Sequence, residues 1–387
     1  MTLQRLEQNF IPRQYEVFAG LDVDKNSIAV TFSDHTALLR SLRMPYSAEH
    51  LLNYTRKHFA GRKIAFAYEA GPTGFGLYDC LTAQGHPCLV VAPSMVPTAP
   101  GQRVKTNRLD GKKISENLRG GQLKSIHVPS LAFRHLRHLV QLRDSHVRQM
   151  TGAKLRIKAL LLYEGLPFPE APRGGHWSGW VRRQLGVLPC HPEVRFKLNS
   201  LIATLEFHRL QAAATQKQMR RFCQQDPELK RSIDYLTTVP GIGWIVASHL
   251  LARLGDWRLI GNVRQIGAFL GLVSTEHSSG DQVQRGSITR GGDARLRNKL
   301  IQSAWSAIRR DPELREFYRR IYLRHPQAQA SRKAIVAVAR KLTTRIYSVL
   351  KEQRPFQLRP ERNSAPLTPE ETAGPRERLD TLQNEAP

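Results

Sequence analysis

Residues 15–44 read YEVFAGLDVDKNSIAVTFSDHTALLRSLRM. Three short apolar segments, YEVFAGLDV, NSIAVTFSD and TALLRSLRM, are separated by tight polar breaks, which is the pattern of three strands in hairpin succession. Further on, a helix is expected near Ser47 to Phe59 and a strand over KIAFAYE, ending at Glu69. Next come a helix at about Leu77 to Gln84 after GPTGFG, a buried strand over PCLVVA, and a helix beginning near Arg108 after a Pro- and Gly-rich loop. The order β-β-β-α-β-α-β-α predicts an α/β domain over residues 15–125.

The acids of this region fall at strand ends and a helix start: Asp22 in the first strand, Glu69 at the end of the fourth, Asp110 at the beginning of the helix after the fifth. Acids so placed can converge, and oxygen ligands of that kind hold two Mg²⁺ ions roughly 3.5–4 Å apart for in-line phosphoryl chemistry. Each acid alone has a plainer reading. Asp22 follows Gly20-Leu21 and suits a turn, Glu69 suits a cap of the Gly71-Pro72 turn, and Asp110 suits the macrodipole of a helix first turn.

Composition narrows the partner. Lys and Arg number 59 against 32 Asp and Glu, giving a formal charge of +27 over 387 residues. That excess is extreme for an enzyme of small molecules and points to a polyanion, with nucleic acid first. The basic residues are spread along the chain, not gathered on one amphipathic helix, so an acidic membrane surface is the weaker reading. No apolar run approaches membrane-spanning length and the opening MTLQRLEQNF carries no signal-type apolar core. A cytoplasmic, nucleoid-associated protein is expected. Cys80, Cys88, Cys190 and Cys223 form no C-x-x-C pair, which argues against a zinc site or a disulfide framework.

Over residues 126–230 apolar positions recur at three- and four-residue steps: Leu131, Leu136, Leu139, Leu142, Val147, Met150, Leu155. They predict a long amphipathic helix with a self-association seam. Between them stand Arg134, Arg137, Arg143, Arg148, Lys154, Arg156 and Lys158, with Asp144 the lone acid, a surface suited to tracking a nucleic-acid backbone. The Pro-, Gly- and Trp-rich stretch 165–192 breaks the helix. A second helical run from about Glu193 to Gln225 then suggests an antiparallel hairpin, so residues 126–230 are expected to form a basic helical domain.

Residues 231–353 are mostly helical. In LTTVPGIGWIVASHLLARLG, Gly241 and Gly243 lie between apolar segments, resembling a helix-hairpin-helix that meets a DNA phosphate through backbone amides. Next comes GLVSTEHSSGDQVQRGSITRGGDARLRNK, residues 271–299, with Ser278 and Ser279 beside Gly280 and with Arg285, Arg290, Arg295 and Arg297 set among glycines. Arginine forks suit phosphate oxygens, so a phosphodiester is expected to be held here. A serine beside it is either a turn residue or a nucleophile; the local sequence does not separate the two. Asp293 sits where a helix N-cap is expected. Residues 354–387, with prolines, acids and few large apolar side chains, predict a disordered tail.

The β-β-β-α-β-α-β-α order resembles the RNase H-like fold of RuvC-type nucleases. GLDVDKNSIAV, AYEAGPTGFGLYDCLTAQGH and VVAPSMVPTAPGQRVKTNRLDGKKIS, together with the serine stretch, resemble the DEDD-type insertion-sequence transposases, the RNA-guided bridge recombinases, over roughly residues 16–355. The resemblance implies a RuvC-like domain, a coiled-coil linker through which protomers pair, and a C-terminal domain in which Ser279 is the nucleophile. It further implies Mg²⁺ at the acidic set, donor and target DNA as substrates, a structured noncoding guide RNA, and a homo-oligomer, dimer or tetramer, with a composite site. One departure stands out. The segment KTNRLDG resembles a family pattern Lys-Thr-Asp-Arg-x-Asp-Ala, so the first aspartate is here Asn107 and the ligand set becomes Asp22, Glu69, Asn107 and Asp110. Asparagine offers one carbonyl oxygen and no charge, which should weaken cation binding. Asp24, two residues from Asp22, is a candidate substitute, although an exposed strand-end carboxylate is the plainer reading. Lys105 and Arg108 flank Asn107 and are expected to contact nucleic acid. Two other functions fit the same residues: a hydrolytic RuvC-like junction nuclease in which Ser279 is structural, and a catalytically impaired nucleic-acid scaffold.

Overall fold

The computed structural model describes residues 10–97, 107–171, 177–276, 285–289 and 291–358. It divides into two compact units, Met1–Pro129 and Ser130–Pro387.

The first unit follows the order read from the sequence: β1 (Val17–Val23), β2 (Ser27–Ser33), β3 (Leu38–Pro45), α1 (Ala48–His58), β4 (Ile64–Glu69), α2 (Gly76–Ala83), β5 (Cys88–Val91) and α3 (Asn107–Arg119). The strands form one five-stranded sheet in the order β3-β2-β1-β4-β5. β1, β2 and β3 pair antiparallel, while β4 and β5 run parallel to β1. This mixed sheet with helices on both faces has the RNase H-like arrangement.

Because both faces are covered, β1 is apolar almost throughout and does not alternate. Val17, Ala19 and Leu21 pack with Ile28, Val30 and Phe32 against Leu51 of α1 and Leu77 and Leu81 of α2. Phe18 faces the other way, with Ala65, Ala67, Leu89 and Val91, under Ile114 and Leu118 of α3. The edge strand β3 is largely exposed and carries Arg40 and Arg43, charges that discourage edge pairing with another chain. The Ser47 hydroxyl accepts from His50 N at 3.2 Å and starts α1 close to the expected residue.

Among its described residues the second unit is helical apart from one small hairpin. It comprises α4 (Leu131–Tyr163), α5 (Gly179–Val187), α6 (Pro192–Gln225), α7 (Pro227–Thr237), α8 (Trp244–Leu254), α9 (Val263–Phe269), β6 (Ser274–Glu276), β7 (Arg285–Ile288), α10 (Ala294–Arg310), α11 (Pro312–Tyr322) and α12 (Gln327–Glu352). α4 and α6 are the long antiparallel pair. At one end Ala153, Ile157 and Leu160 of α4 and Leu198 and Leu205 of α6 enclose Val181 and Leu185 of α5. At the other end Phe133, Leu136 and Val140 of α4, with Met219 and Cys223 of α6, enter the same apolar core as Leu250, Leu300, Tyr318 and Leu342. The base of the long hairpin and the C-terminal helices therefore share one core. Among the described residues no helix is long and apolar enough to cross a membrane.

Candidate active site

Strand pairing brings two of the expected acids side by side. In the parallel β1–β4 ladder Gly20 stands opposite Ala67 and Leu21 opposite Tyr68. The next residues are Asp22 and Glu69, at the carboxyl ends of neighbouring strands and, by alternation, on the face that carries α3. Both are half-buried.

The helix that carries the third acid, Asp110, is seated by a close helix-to-sheet contact. A Cβ on Gly20 would lie 2.2 Å from Gly111 O and 2.3 Å from Ser115 N, so α3 rests directly on the β1 backbone. One on Gly111 would meet Ala29 O at 3.3 Å and Gly20 O at 3.4 Å. Beside this notch the buried Ser115 hydroxyl donates to Phe18 O at 2.9 Å and shares a 2.6 Å hydrogen bond with Ser33 Oγ. Contacts from Gly111 to Gly20 and from Ser115 to Phe18 mean that α3 runs antiparallel to β1. Its first turn, which holds Asp110 and opens at Asn107, therefore lies toward the end of the sheet where β1 and β4 finish. Arg108 belongs to the same turn, and Lys105 lies outside the described residues.

The oxygen donors on this end of the sheet are of the type that suits Mg²⁺. Among the described residues, no group of three or more His, Cys, Asp or Glu side chains stands close enough to hold a metal ion. Asp24 lies beyond the end of β1, exposed, and its carboxylate accepts from Lys25 N at 2.7 Å, which serves the β1–β2 turn.

In the second unit β6 and β7 pair antiparallel, with Ser274 opposite Ile288 and Glu276 opposite Arg285. Ser278, Ser279 and Gly280, which fall between them in sequence, and Arg290 lie outside the described residues. The flanks of the hairpin are closely defined. Gly271 and Gly292 both have positive φ, at 63° and 73°. A Cβ on Gly271 would strike Gly291 O at 2.2 Å, and one on Gly292 would strike Phe269 O at 1.8 Å. Asp293 caps α10 as expected, accepting from Arg295 N at 2.9 Å and Leu296 N at 3.1 Å, and it also pairs with Arg253. Arg295 is exposed. Arg297, expected at a phosphate, is instead only 8% exposed, and its Nη1 donates to Leu270 O at 3.1 Å and Gly291 O at 3.0 Å.

The two glycines of the α7–α8 turn differ in kind. Gly241 has φ 85° and a Cβ there would lie 2.2 Å from Ser303 O, so packing on α10 demands this glycine. Gly243 caps α8 at φ −87°, and open space surrounds the position of its Cβ. Only the latter leaves room for a ligand to approach the backbone. Beside it the Arg220 guanidinium lies 4.5 Å from the Trp244 ring centroid.

A buried polar cluster escaped the sequence reading. Asp144 of α4 accepts from His249 Nε2 of α8 at 3.0 Å and from Lys299 Nζ of α10 at 3.2 Å. His249 Nδ1 faces Ile245 O at 2.7 Å, so both ring nitrogens meet oxygens. Burial alone would raise the Asp144 carboxyl, yet hydrogen bonds and charge from His249 and Lys299 bring it down to about 2. The available signal was a lone acid in an otherwise basic helix.

Comparison with known proteins agrees with both halves. A family model described as the transposase IS116/IS110/IS902 family matches residues 233–319, and a transposase model of the DEDD IS110 type matches residues 19–163. A putative transposase, y4qE, of Sinorhizobium fredii is 31% identical over 303 residues, covering 75% of this chain and 72% of that protein. The transposase for insertion sequence element IS1111A of Coxiella burnetii is 22% identical over 281 residues, 72% of this chain and 76% of its own. The pilin gene-inverting protein of Moraxella bovis is 31% identical over 135 residues, 34% of this chain and 41% of that protein. With an RNase H-like acidic unit, a helical serine-bearing unit and relatives matched across most of its length, the chain belongs to the IS110/IS116/IS902 family of transposases.

Proposed function

We propose that this DNA transposase of an insertion sequence cuts and rejoins strands through a covalent serine intermediate, with Ser279 as nucleophile and Asp22, Glu69, Asn107 and Asp110 as ligands of divalent cations, two Mg²⁺ ions by preference. The supporting observation is the α3–β1 notch at Gly20, which carries Asp110 toward the strand ends that bear Asp22 and Glu69. Asp22, Glu69, Asn107 and Asp110 would hold such cations, which when bound would supply neutralisation of charge on the phosphodiester and ease loss of the serine proton. The Ser279 oxygen attacks phosphorus as the bond to the 3′-oxygen breaks; that oxygen takes up a proton, leaving a 5′-phosphoserine and a free 3′-hydroxyl. Attack by a 3′-hydroxyl of a second strand reverses the step and rejoins the DNA. Similarity to a protein named for inverting a gene favours this over hydrolysis alone, because inversion requires rejoining as well as cutting.

Exposed Arg295 and the open backbone at Gly243 are placed to meet phosphates; Lys105, Arg108, Arg285 and Arg290 take the same role on the sequence reading alone. Gly241 acts through its turn and Arg297 from beneath. Site choice belongs to a structured noncoding RNA that pairs with donor and target DNA. A charge of +27, with no evident element for reading bases in the major groove, suits backbone binding of RNA and DNA more than direct base readout. Pairing of protomers through the α4–α6 hairpin, whose Leu155, Leu162 and Phe196 are exposed, makes a homo-oligomer in which one protomer's serine meets another's acids.

A covalent-trapping experiment with a nicked or suicide DNA substrate and the guide RNA tests this. Wild type should yield a protein–DNA adduct that Ser279→Ala abolishes while DNA binding persists. Cleavage without an adduct would assign the chain to hydrolytic chemistry, and binding without cleavage would make it a scaffold.

A further inference from the structure

We infer that Arg297 is a positioning residue: it braces the β6–β7 hairpin from below and contributes to catalysis without touching DNA. The inference deepens the reading of Ser279 as nucleophile and rests on it.

The hairpin leaves the helical body through two chain segments, one emerging from α9 and one entering α10. They meet beside Gly291, at Gly271 and Gly292, where no side chain fits. A Cβ on Gly271 would fall 2.2 Å from Gly291 O and 2.9 Å from Arg297 Nη1, and one on Gly292 1.8 Å from Phe269 O. Arg297 lies beneath this crossing and joins its two sides, donating to Leu270 O at 3.1 Å and to Gly291 O at 3.0 Å. Just above, Leu272 N donates to Gly267 O at 2.9 Å and Thr289 N to Val273 O at 2.8 Å. Arg297 is 8% exposed and its Nη1 is occupied with two carbonyls, which leaves it poorly placed to bind a phosphate. Both bonds leave one nitrogen, Nη1, whose two N–H directions the planar guanidinium fixes, whereas the ammonium of a lysine is a rotatable point charge on a flexible stem. Arg295, two residues earlier on the same helix, is exposed and takes the solvent side.

The brace therefore fixes the direction in which the hairpin leaves the body, and with it the geometry of whatever the hairpin presents. Misplacing a reacting group by about 1 Å costs about 100-fold in rate, with no loss of substrate binding required.

The experiment uses the full chain with guide RNA and compares wild type with Arg297→Gln and Arg297→Lys. Three quantities are read: the salt dependence of DNA affinity, the rate of adduct formation at saturating DNA, and hydrogen exchange at the Leu272 and Thr289 amides. For Arg297→Gln the brace predicts an unchanged salt slope, an adduct rate down by about 100-fold, and faster exchange at both amides. Arg297→Lys, which keeps the charge, should show the same pattern in milder form and guards against a glutamine variant that fails to fold. A salt slope reduced by about one with an unchanged saturated rate, the signature of a lost phosphate contact, overturns the inference. So does unaltered exchange. Should wild type form no adduct at all, the serine reading fails instead, and the exchange measurement still decides whether Arg297 is a brace.

Discussion

In the proposed ligand set, Asn107 at the start of α3 stands where the resembled pattern has an aspartate, a neutral oxygen donor in place of a charged one. Cation affinity in oxygen sites follows the count of negative ligands, so the set Asp22, Glu69, Asn107 and Asp110 should bind Mg²⁺ more weakly than four carboxylates would. Asp24 offers little help, since it lies past the end of β1 with its carboxylate on Lys25 N. Asn107→Asp is therefore expected to lower the Mg²⁺ concentration for half-maximal adduct formation by about tenfold. An unchanged midpoint in a Mg²⁺ titration would remove Asn107 from the ligand set. Single residues also mark where sequence reading reaches its limit. Arg295 and Arg297 look alike in the string, both arginines next to a glycine-rich segment. One is exposed and the other is buried against two carbonyls, a difference created by helix phase and by the crossing at Gly271 and Gly292.

At the scale of elements, the α3–β1 notch seats the helix that carries Asp110 on the sheet, and its two glycines are unequal. On Gly20 a methyl group would penetrate backbone atoms at 2.2 and 2.3 Å, which only a shift of the whole helix relieves. On Gly111 it would meet Ala29 O at 3.3 Å and Gly20 O at 3.4 Å, which small adjustments absorb. Gly20→Ala should therefore cost about 3 kcal/mol or more by overpacking, and Gly111→Ala about 1 kcal/mol or less. Denaturant unfolding checks the order; equal losses would mean that α3 is not seated through Gly20. The order of strands and helices was legible because apolar runs of strand length, broken by polar turns, leave little choice of element. The notch was not. Gly20 in FAGLD looks like any strand glycine, and nothing local says that Gly111 and Ser115, some ninety residues on, will lie against it.

For the molecule as a whole, the long hairpin and the C-terminal helices were expected as successive segments, yet the base of one is built into the core of the other. Helical period gave the elements; their sharing of a core depends on contacts between α4 and helices more than a hundred residues later, which periodicity does not encode. Asp144 is the polar member of that union, joining α4 to His249 of α8 and Lys299 of α10. Its carboxyl falls to about 2 in the folded chain from the ordinary 3.8. A depressed carboxylate adds stability above its unfolded value, and that contribution is lost as pH falls through the folded value. The window is therefore between about pH 4 and pH 2. Asp144→Asn leaves the two basic groups without their counter-charge, so the second unit should lose about 3 kcal/mol near neutral pH, the cost of removing one partner from a buried pair. Its stability should also fall less steeply than wild type between those pH values, because the asparagine has no proton to gain. Thermal unfolding of both proteins at a series of pH values decides the matter: parallel curves would mean that Asp144 does not anchor the hairpin to the helices that carry the serine segment.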